Sequence, residues 1–265
     1  MSTPYSCREI PVPSGRVTGL LWGEETAGRR GPKRSLTVDT IADTATRLAD
    51  AEGLSAVSMS RIAAELGVTS MALYRYVSGK DDVLALMADR VLPNVAVLGE
   101  PADGWRPSLE RWMAAQLDVI ERRQWILGLP LTTVPRGPRA LEWIDWAMGS
   151  LEDTPLDPGE RLAVVGLLAS FLLAEGRLRV EHAQAAERTA SSGEDGTPAA
   201  AALDPSDIVG TIMAHLDDSR FPHLTAAFGS ASADQIAEAE TVYDDVFGMH
   251  TILDGVAALI ARRTG

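Results

Sequence analysis

Between Leu66 and Leu84 the chain reads LGVTSMALYRYVSGKDDVL, and several of its side chains are of kinds that grip nucleic acid. Arg75 carries a guanidinium shaped for a bidentate bond to guanine in a major groove. Tyrosine hydroxyls such as that of Tyr74 suit phosphate oxygens. Lys80, at the start of a further helix, stands beside unpaired N–H groups and a positive dipole end, which makes an anion site and here a place for a DNA phosphate. If Leu73 and Val77 point inward, helical phase turns Ser70, Met71, Tyr74 and Arg75 outward. Tyr76 lies nearer the inner face.

Those side chains need a rigid mount, and the flanking residues supply one. A helix is predicted from Met59 to Leu66 with Ser58 as N-cap, broken by Gly67, and another after Thr69. Ala63 falls where the two helices cross closely, Gly67 at the turn, and Ile62, Leu66, Val68 and Leu73 on the inner face. This is helix-turn-helix spacing. Ser78-Gly-Lys-Asp81 has the form of a capping box, so Ser78 is expected to cap a fourth helix. Upstream, Val38, Ile41, Ala42, Ala45, Leu48 and Ala49 recur at helical spacing before a Gly53 stop.

Charge is distributed to match. The chain of 265 residues has a formal net charge of −13, yet residues 1–28 sum to −1, residues 29–90 to +1 and residues 91–265 to −13. Arg29, Arg30, Lys33 and Arg34 lie within six residues, just ahead of the first predicted helix of the mount. A charge run is usually a solvated tail; in this position it is expected to act as an arm along phosphates or into the minor groove. Cys7 is the only cysteine, which leaves no disulfide framework and suits a reducing cytoplasm. Arg8, Glu9 and Pro11 interrupt the start before any signal-peptide apolar region, and the apolar run Leu162–Ala174 is too short for a bilayer of about 30 Å. That run is expected to be a buried helix, with no membrane partner.

No stretch alternates with period two for long enough to make a strand, so the fold class is all-α. Further helices are predicted over Trp105–Arg122, Arg139–Leu151, from Pro158 to about Arg188, and over 206–218 and 233–263. Residues 189–206 read as a loop. Within residues 1–28, Pro4, Pro11 and Pro13 with Gly15, Gly19 and Gly23 argue against a long regular element, although Leu20, Leu21 and Trp22 could dock on the helical domain downstream. The expected organisation is an extension with a basic arm (1–36), a helix-turn-helix domain (37–84) and a larger helical ligand-binding and dimerisation domain (85–265).

The segment RIAAELGVTSMALYRYVSGKDDVL resembles the recognition segment of tetracycline-repressor (TetR) family regulators. The resemblance implies phosphate contacts from Tyr74, Tyr76 and Lys80, and base-edge or groove contacts from Ser70, Met71, Ala72 and Arg75. Thr69 lies at the start of the same reading segment, and Ser60 and Arg61 on the preceding helix come within reach. Family members often carry His where this chain has Tyr76 and Phe where it has Val77. VFGMHTILDGVAALIARR resembles the last helix of these regulators, and GLPLTTVPRGPRALEWIDWAMGSL the middle of the tetracycline-repressor subclass. The likeness spans Thr37 to Arg263. It implies an all-α homodimer on a palindromic DNA operator, released by a small-molecule effector. Relatives that sense tetracycline with magnesium use an imidazole in the middle loop; this chain has no histidine before His182, so that ligand is not expected.

Trp112, Met113, Gln116, Trp143, Met148, Phe171 and Glu175 mix aromatic, flexible and polar character on the later helices, a mixture that suits a ligand pocket as well as a core. Gly166, Ser170 and Ala174 recur every four residues and permit close helix approach. Val242, Val246, Met249, Leu253, Val256 and Ile260 form a heptad-like seam. Together they are the candidate homodimer interface, against the alternative of an ordinary intramolecular core. The four histidines have no metal-ligand spacing, and no metal or cofactor is implied. Phosphate-loop, H-E-x-x-H and G-x-S-x-G motifs are absent, so an enzyme is not expected. The sequence therefore points to a ligand-responsive DNA-binding regulator, most simply a repressor. A ligand-free DNA-binding or scaffolding protein is the main alternative.

Overall fold

A computed structural model describes residues 15–23, 36–101, 104–129, 137–191, 215–217, 219–229 and 245–264. Every regular element among the described residues is helical, as the lack of period-two alternation predicts. The chain divides between Thr154 and Pro155 into two compact units.

The first unit holds α1 (Gly15–Leu21), α2 (Val38–Glu52), α3 (Met59–Leu66), α4 (Ser70–Leu73), α5 (Lys80–Arg90), α6 (Trp105–Arg122) and α7 (Pro138–Gly149). Short 3-10 turns lie at Leu54–Ala56, Val95–Leu98 and Gln124–Gly128. Helix α2 opens with a reciprocal cap: the Thr40 amide donates to Thr37 Oγ1 at 3.0 Å and the Thr37 amide to Thr40 Oγ1 at 2.9 Å. Two of the orphan donors of the first turn are thereby satisfied without water. The apolar stripe of α2, with Ile41, Ala42 and Ala45 fully buried, packs with Val57, Ile62, Leu73, Val77, Val83 and Met87 in one core. Each large aliphatic side chain buried there contributes about 1.5–3 kcal/mol relative to exposure.

Among its described residues the leader holds only a short element, and the docking alternative is realised in part. Gly15–Leu21, free of proline, forms α1 and docks on α5. Val17 and Leu20, three residues apart on one face, are buried, and Leu20 joins the core of α2 and α5. Leu21 packs at the edge of that core, whereas Trp22 is 49% exposed.

The second unit holds α8 (Pro158–Ser191), α9 (Pro222–Gly229) and α10 (Asp245–Thr264). Pro158 stands at the first helical position of α8, as expected. A reciprocal cap absent from the sequence expectations completes that end: the Glu160 amide donates to Asp157 Oδ1 at 2.9 Å and the Asp157 amide to Glu160 Oε2 at 3.1 Å. Its D-x-x-E signature is readable in the chain. Helix α9 has no counterpart among the helices expected from the sequence. Residues 192–214 and 230–244 lie outside the described residues, so most of the helix expected over 206–218 and the start of that over 233–263 fall there. No described helix is long and apolar enough to cross a membrane.

Arg263 near the end of α10 bonds Glu160 at the start of α8, its Nε reaching Oε1 at 3.0 Å. The guanidinium, followed by the Asp157 amide, holds the Glu160 carboxyl below its ordinary 4.5. A lowered folded-state pKa gives stability that is present above the unfolded value and is lost as pH falls through the folded one. The stability difference between the parent and Arg263→Gln should therefore be constant above about pH 5 and shrink below about 4.5. Thermal unfolding of both proteins from about pH 6 to about pH 3.5 measures it; a difference that persists unchanged into acid refutes the ion-pair origin.

Candidate nucleic-acid interface

The α3–α4 corner arises from three local devices. Ser58 Oγ accepts the Arg61 amide at 3.2 Å and starts α3. Gly67, at φ 67 and ψ 31, ends it in the left-handed region that a side chain would strain. The Gly67 amide then reaches Ala64 O at 3.1 Å and the Val68 amide reaches Ala63 O at 2.9 Å, a Schellman closure. Ala63 is buried at the crossing, as the spacing predicts.

Helix α4 is a single turn. Beyond it the Tyr76 and Val77 amides both return to Leu73 O, at 2.8 and 3.0 Å, so residues 74–76 form a tight turn. Leu73 and Val77, fully buried, fasten this segment to the core from both ends. Thr69, Met71, Tyr74 and Arg75 consequently share the solvent side, with Met71 75% and Tyr74 46% exposed. Ser70 and Ala72 are half-buried, and so is Tyr76, which packs on the core edge. Ser60 and Arg61 are exposed at the start of α3.

The cations are not equivalent. Arg61 is paired with Glu52 at the end of α2, Nη2 to Oε1 2.6 Å. Arg75 and Lys80 have no acidic partner among the described residues, so their charge is available to an incoming anion. Nothing in the sequence pattern separates these arginines in that respect. Arg29, Arg30, Lys33 and Arg34 lie outside the described residues.

The expected cap of α5 is corrected. Gly79, in extended conformation, is the N-cap, and Ser78 lies one residue too early to serve. The buried carboxylate of Asp82 instead accepts the Ser78 amide at 2.6 Å. Lys80 remains the first helical residue and is exposed.

Helix α5 also meets most of the first unit at its far end. Arg90 bonds Asp43 at 2.9 Å and Asp39 on α2. Asp89, only 7% exposed, accepts the Ala140 amide of α7 at 3.1 Å, and Gly137 lies so close that an added Cβ would stand 2.1 Å from the carboxyl carbon. Arg139 donates to Leu92 O at 3.2 Å, Trp143 Nε1 to Pro93 O at 2.9 Å and Arg123 to Val91 O at 3.4 Å. Trp125 Nε1 reaches back to Asp50 Oδ1 on α2 at 2.8 Å. None of these ties is legible in the sequence.

Comparison with known families settles the lineage of this arrangement. The family described as bacterial regulatory proteins, tetR family, matches residues 41–87, and the tetracyclin repressor-like C-terminal domain matches residues 98–260. The chain belongs to the TetR family. The HTH-type transcriptional repressor DrrR1 of Streptomyces coeruleorubidus is 31% identical to it over 94% of this chain and 88% of that protein. Apo ActR from Streptomyces coelicolor has a similar structure, with TM-score 0.64 and 25% identity over 87% of this chain and 99% of that one. ActR in complex with actinorhodin matches with TM-score 0.64 and 25% identity over 86% and 98% of the two chains. The α3–α4 helix-turn-helix is thus the DNA-binding element of a TetR-family regulator.

The residues singled out for a pocket in this TetR-family chain are divided between the units. In the first, Trp112, Met113 and Trp143 are fully buried, and Trp112 Nε1 donates to Trp143 O at 2.8 Å. With its own N–H on Pro93 O, the Trp143 indole is satisfied by backbone, which makes both tryptophans anchors of the α6–α7 packing. Gln116 and Met148 are half-buried. In the second unit, Phe171 is half-buried and meets α10 at Gly248, where an added Cβ would lie 2.7 Å from the ring. Glu175 pairs with Arg179 one turn on, 3.4 Å apart.

The seam residues behave differently from the small-residue row. Leu253 and Val256 are buried within the single chain, and Met249 and Ile260 are half-buried, so this part of the seam serves the chain's own core. Val246 lies in the first turn of α10, and Val242 lies outside the described residues. Gly166, Ser170 and Ala174 are exposed on α8. Leu162, Leu167, Leu173 and Leu178 are exposed beside them. The run expected to be a buried helix is therefore covered on one face only: Val164, Val165, Leu168 and Leu172 face inward while an apolar stripe of similar length faces out.

Proposed function

We propose that the protein is a homodimeric, ligand-responsive transcription regulator of the TetR family, acting as a repressor. Each subunit lays Thr69–Tyr76 in a major groove, with Met71 and Arg75 toward the bases and Tyr74 and Lys80 toward phosphate. The observation that carries this reading is the rigidly mounted solvent face of α4, on which Arg75 and nearby Lys80 have no acidic partner among the described residues. Similarity to DrrR1, a named repressor, and to ActR, which has been crystallised with actinorhodin, supports repression and release by a small molecule.

Dimerisation is supported by the exposed stripe of α8. Two copies of a stripe of leucines with glycine, serine and alanine between them can approach closely and remove it from water. Leu167→Glu, at a side chain 54% exposed in the subunit, should leave helicity intact while converting the dimer to monomer in light scattering. It should also abolish two-half-site binding. A variant that stays dimeric at low micromolar concentration excludes this face as the interface.

Release requires the effector to favour the conformation that does not bind DNA, by about 1–3 kcal/mol in typical cases. Helix α5 is the proposed lever, since it starts at Lys80 beside the reading face and ends in the bonds to α2 and α7. The functional division proposed is an arm and leader to residue 36, a DNA-reading domain over 37–84, and a sensing and dimerising remainder. The test is selection of random duplex DNA by the purified protein. An enriched inverted repeat, with half-sites about one helical turn or somewhat more apart, is the expected result. Weak, salt-sensitive retention without enrichment refutes the proposal.

A further inference from the structure

We propose that Met71 reads the 5-methyl group of a thymine in each operator half-site, within about two base pairs of the guanine taken by Arg75. The inference rests on the DNA-reading role just proposed and adds what the site recognises. Met71 is the most exposed large hydrophobic side chain among the described residues, at 75%, although it lies two residues from the fully buried Leu73. Its neighbours on the solvent side are Thr69, Tyr74 and Arg75, and α4 and its turn carry no carboxylate, asparagine or glutamine.

That inventory narrows the bases available. Cytosine is read best through its amino group by a carboxylate, and adenine in bidentate fashion by a carboxamide, a hydroxyl such as that of Thr69 or Ser70 discriminating less. Neither carboxylate nor carboxamide is present on this segment. Arginine pairs with guanine, and the one apolar group that B-form DNA offers in the major groove is the thymine methyl. A thioether on an unbranched stem adapts its rotamer to such a target and loses water on contact. Met71 lies on α4 and Arg75 in the tight turn just beyond it, four residues on, a span that in regular helix rises about 6 Å. At about 3.4 Å per base pair that distance covers fewer than two steps.

The experiment begins from the operator enriched by selection. Each thymine is replaced in turn by deoxyuridine, which removes the methyl and changes nothing else at the base edge. Binding is then measured with the parent dimer and with Met71→Ala, whose fold is checked by circular dichroism. One thymine per half-site should show a loss of about four-fold for the parent, the value for removing one buried carbon from contact. Met71→Ala should still prefer the same operator and be indifferent to that replacement. Uniform indifference of the parent overturns the proposal, and so does a uracil effect that Met71→Ala retains in full. Absence of any enriched repeat is a separate result, and it overturns the operator-reading function itself.

Discussion

Arg75→Ala will weaken binding to the selected operator by about 1–3 kcal/mol, roughly five- to 150-fold, and will relax preference at one base position per half-site. Binding to unrelated duplex should change little, and the slope of affinity against salt should stay near that of the parent. A phosphate contact would behave otherwise: equal loss on all sequences and a slope smaller by about one counterion. That pattern would move Arg75 out of base reading. Arg61→Ala is the built-in comparison. Its guanidinium is already paired with Glu52 at 2.6 Å, so its removal should cost less than that of Arg75, and Glu52→Ala should strengthen non-specific binding by exposing the charge. The prediction thus depends on a difference between two arginines that only their partners distinguish.

Gly137→Ala will destabilise the protein by about 2–4 kcal/mol, a large effect for one methyl group. The backbone at Gly137 is ordinary, with φ −84, so strain of conformation is not the cause. The new Cβ would stand 2.1 Å from both Cγ and Oδ1 of Asp89. Asp89 is buried and caps α7 through the Ala140 amide at 3.1 Å, so pushing its carboxylate aside leaves a buried acceptor and a half-buried donor unpaired. Chemical denaturation measures the loss. A double-mutant cycle with Asp89→Ala identifies its source, because truncating Asp89 should remove most of the Gly137→Ala penalty. Additive losses in that cycle, or a single-variant loss under about 0.5 kcal/mol, the size of a neutral surface change, would show that the cap is not what Gly137 makes room for. The same pair joins α5 to α7, so DNA affinity in the Asp89→Ala variant reports on the lever as well.

Much of the DNA-reading corner was legible because its causes are local. Ser58, Ala63, Gly67 and Val68 act through bonds spanning at most five residues, and such bonds leave a pattern in the chain itself. The same holds for the boundaries of α6, Trp105 to Arg122, and for Pro158 at the head of α8. Local reading still failed by one residue at Ser78, where the extended backbone of Gly79 moved the cap and gave the amide to Asp82. It left docking of Leu20 open without foreseeing the helix that carries it: burial of Val17 and Leu20 against α5 stabilises a helix too short to persist alone.

On α8 and α10 the pattern was readable but its use was not. Apolar residues all round α8 state that more than one face seeks cover. Which face the chain itself covers depends on where α10 packs, and it packs so that Leu253 and Val256 are enclosed while Leu162, Leu167, Leu173 and Leu178 stay outside. The tryptophans are a parallel case. Their types as a group suited a pocket while each taken singly suited a core, and the partners of their indoles, Trp143 O and Pro93 O, became known only when α6, α7 and the segment after α5 were brought together.

By itself, then, the sequence determined that this chain is all-helical and carries a helix-turn-helix with an outward Met71, Tyr74 and Arg75, since periodicity and capping are properties of neighbours along the chain. The tertiary structure alone decided that Arg61 is neutralised by Glu52 and Arg75 is not, that Asp89 holds α7 to α5 between residues remote in the chain, and which side of α8 is left uncovered. Those outcomes depend on distances between residues far apart in sequence, and a Coulomb or packing energy has no value until packing has set the distance.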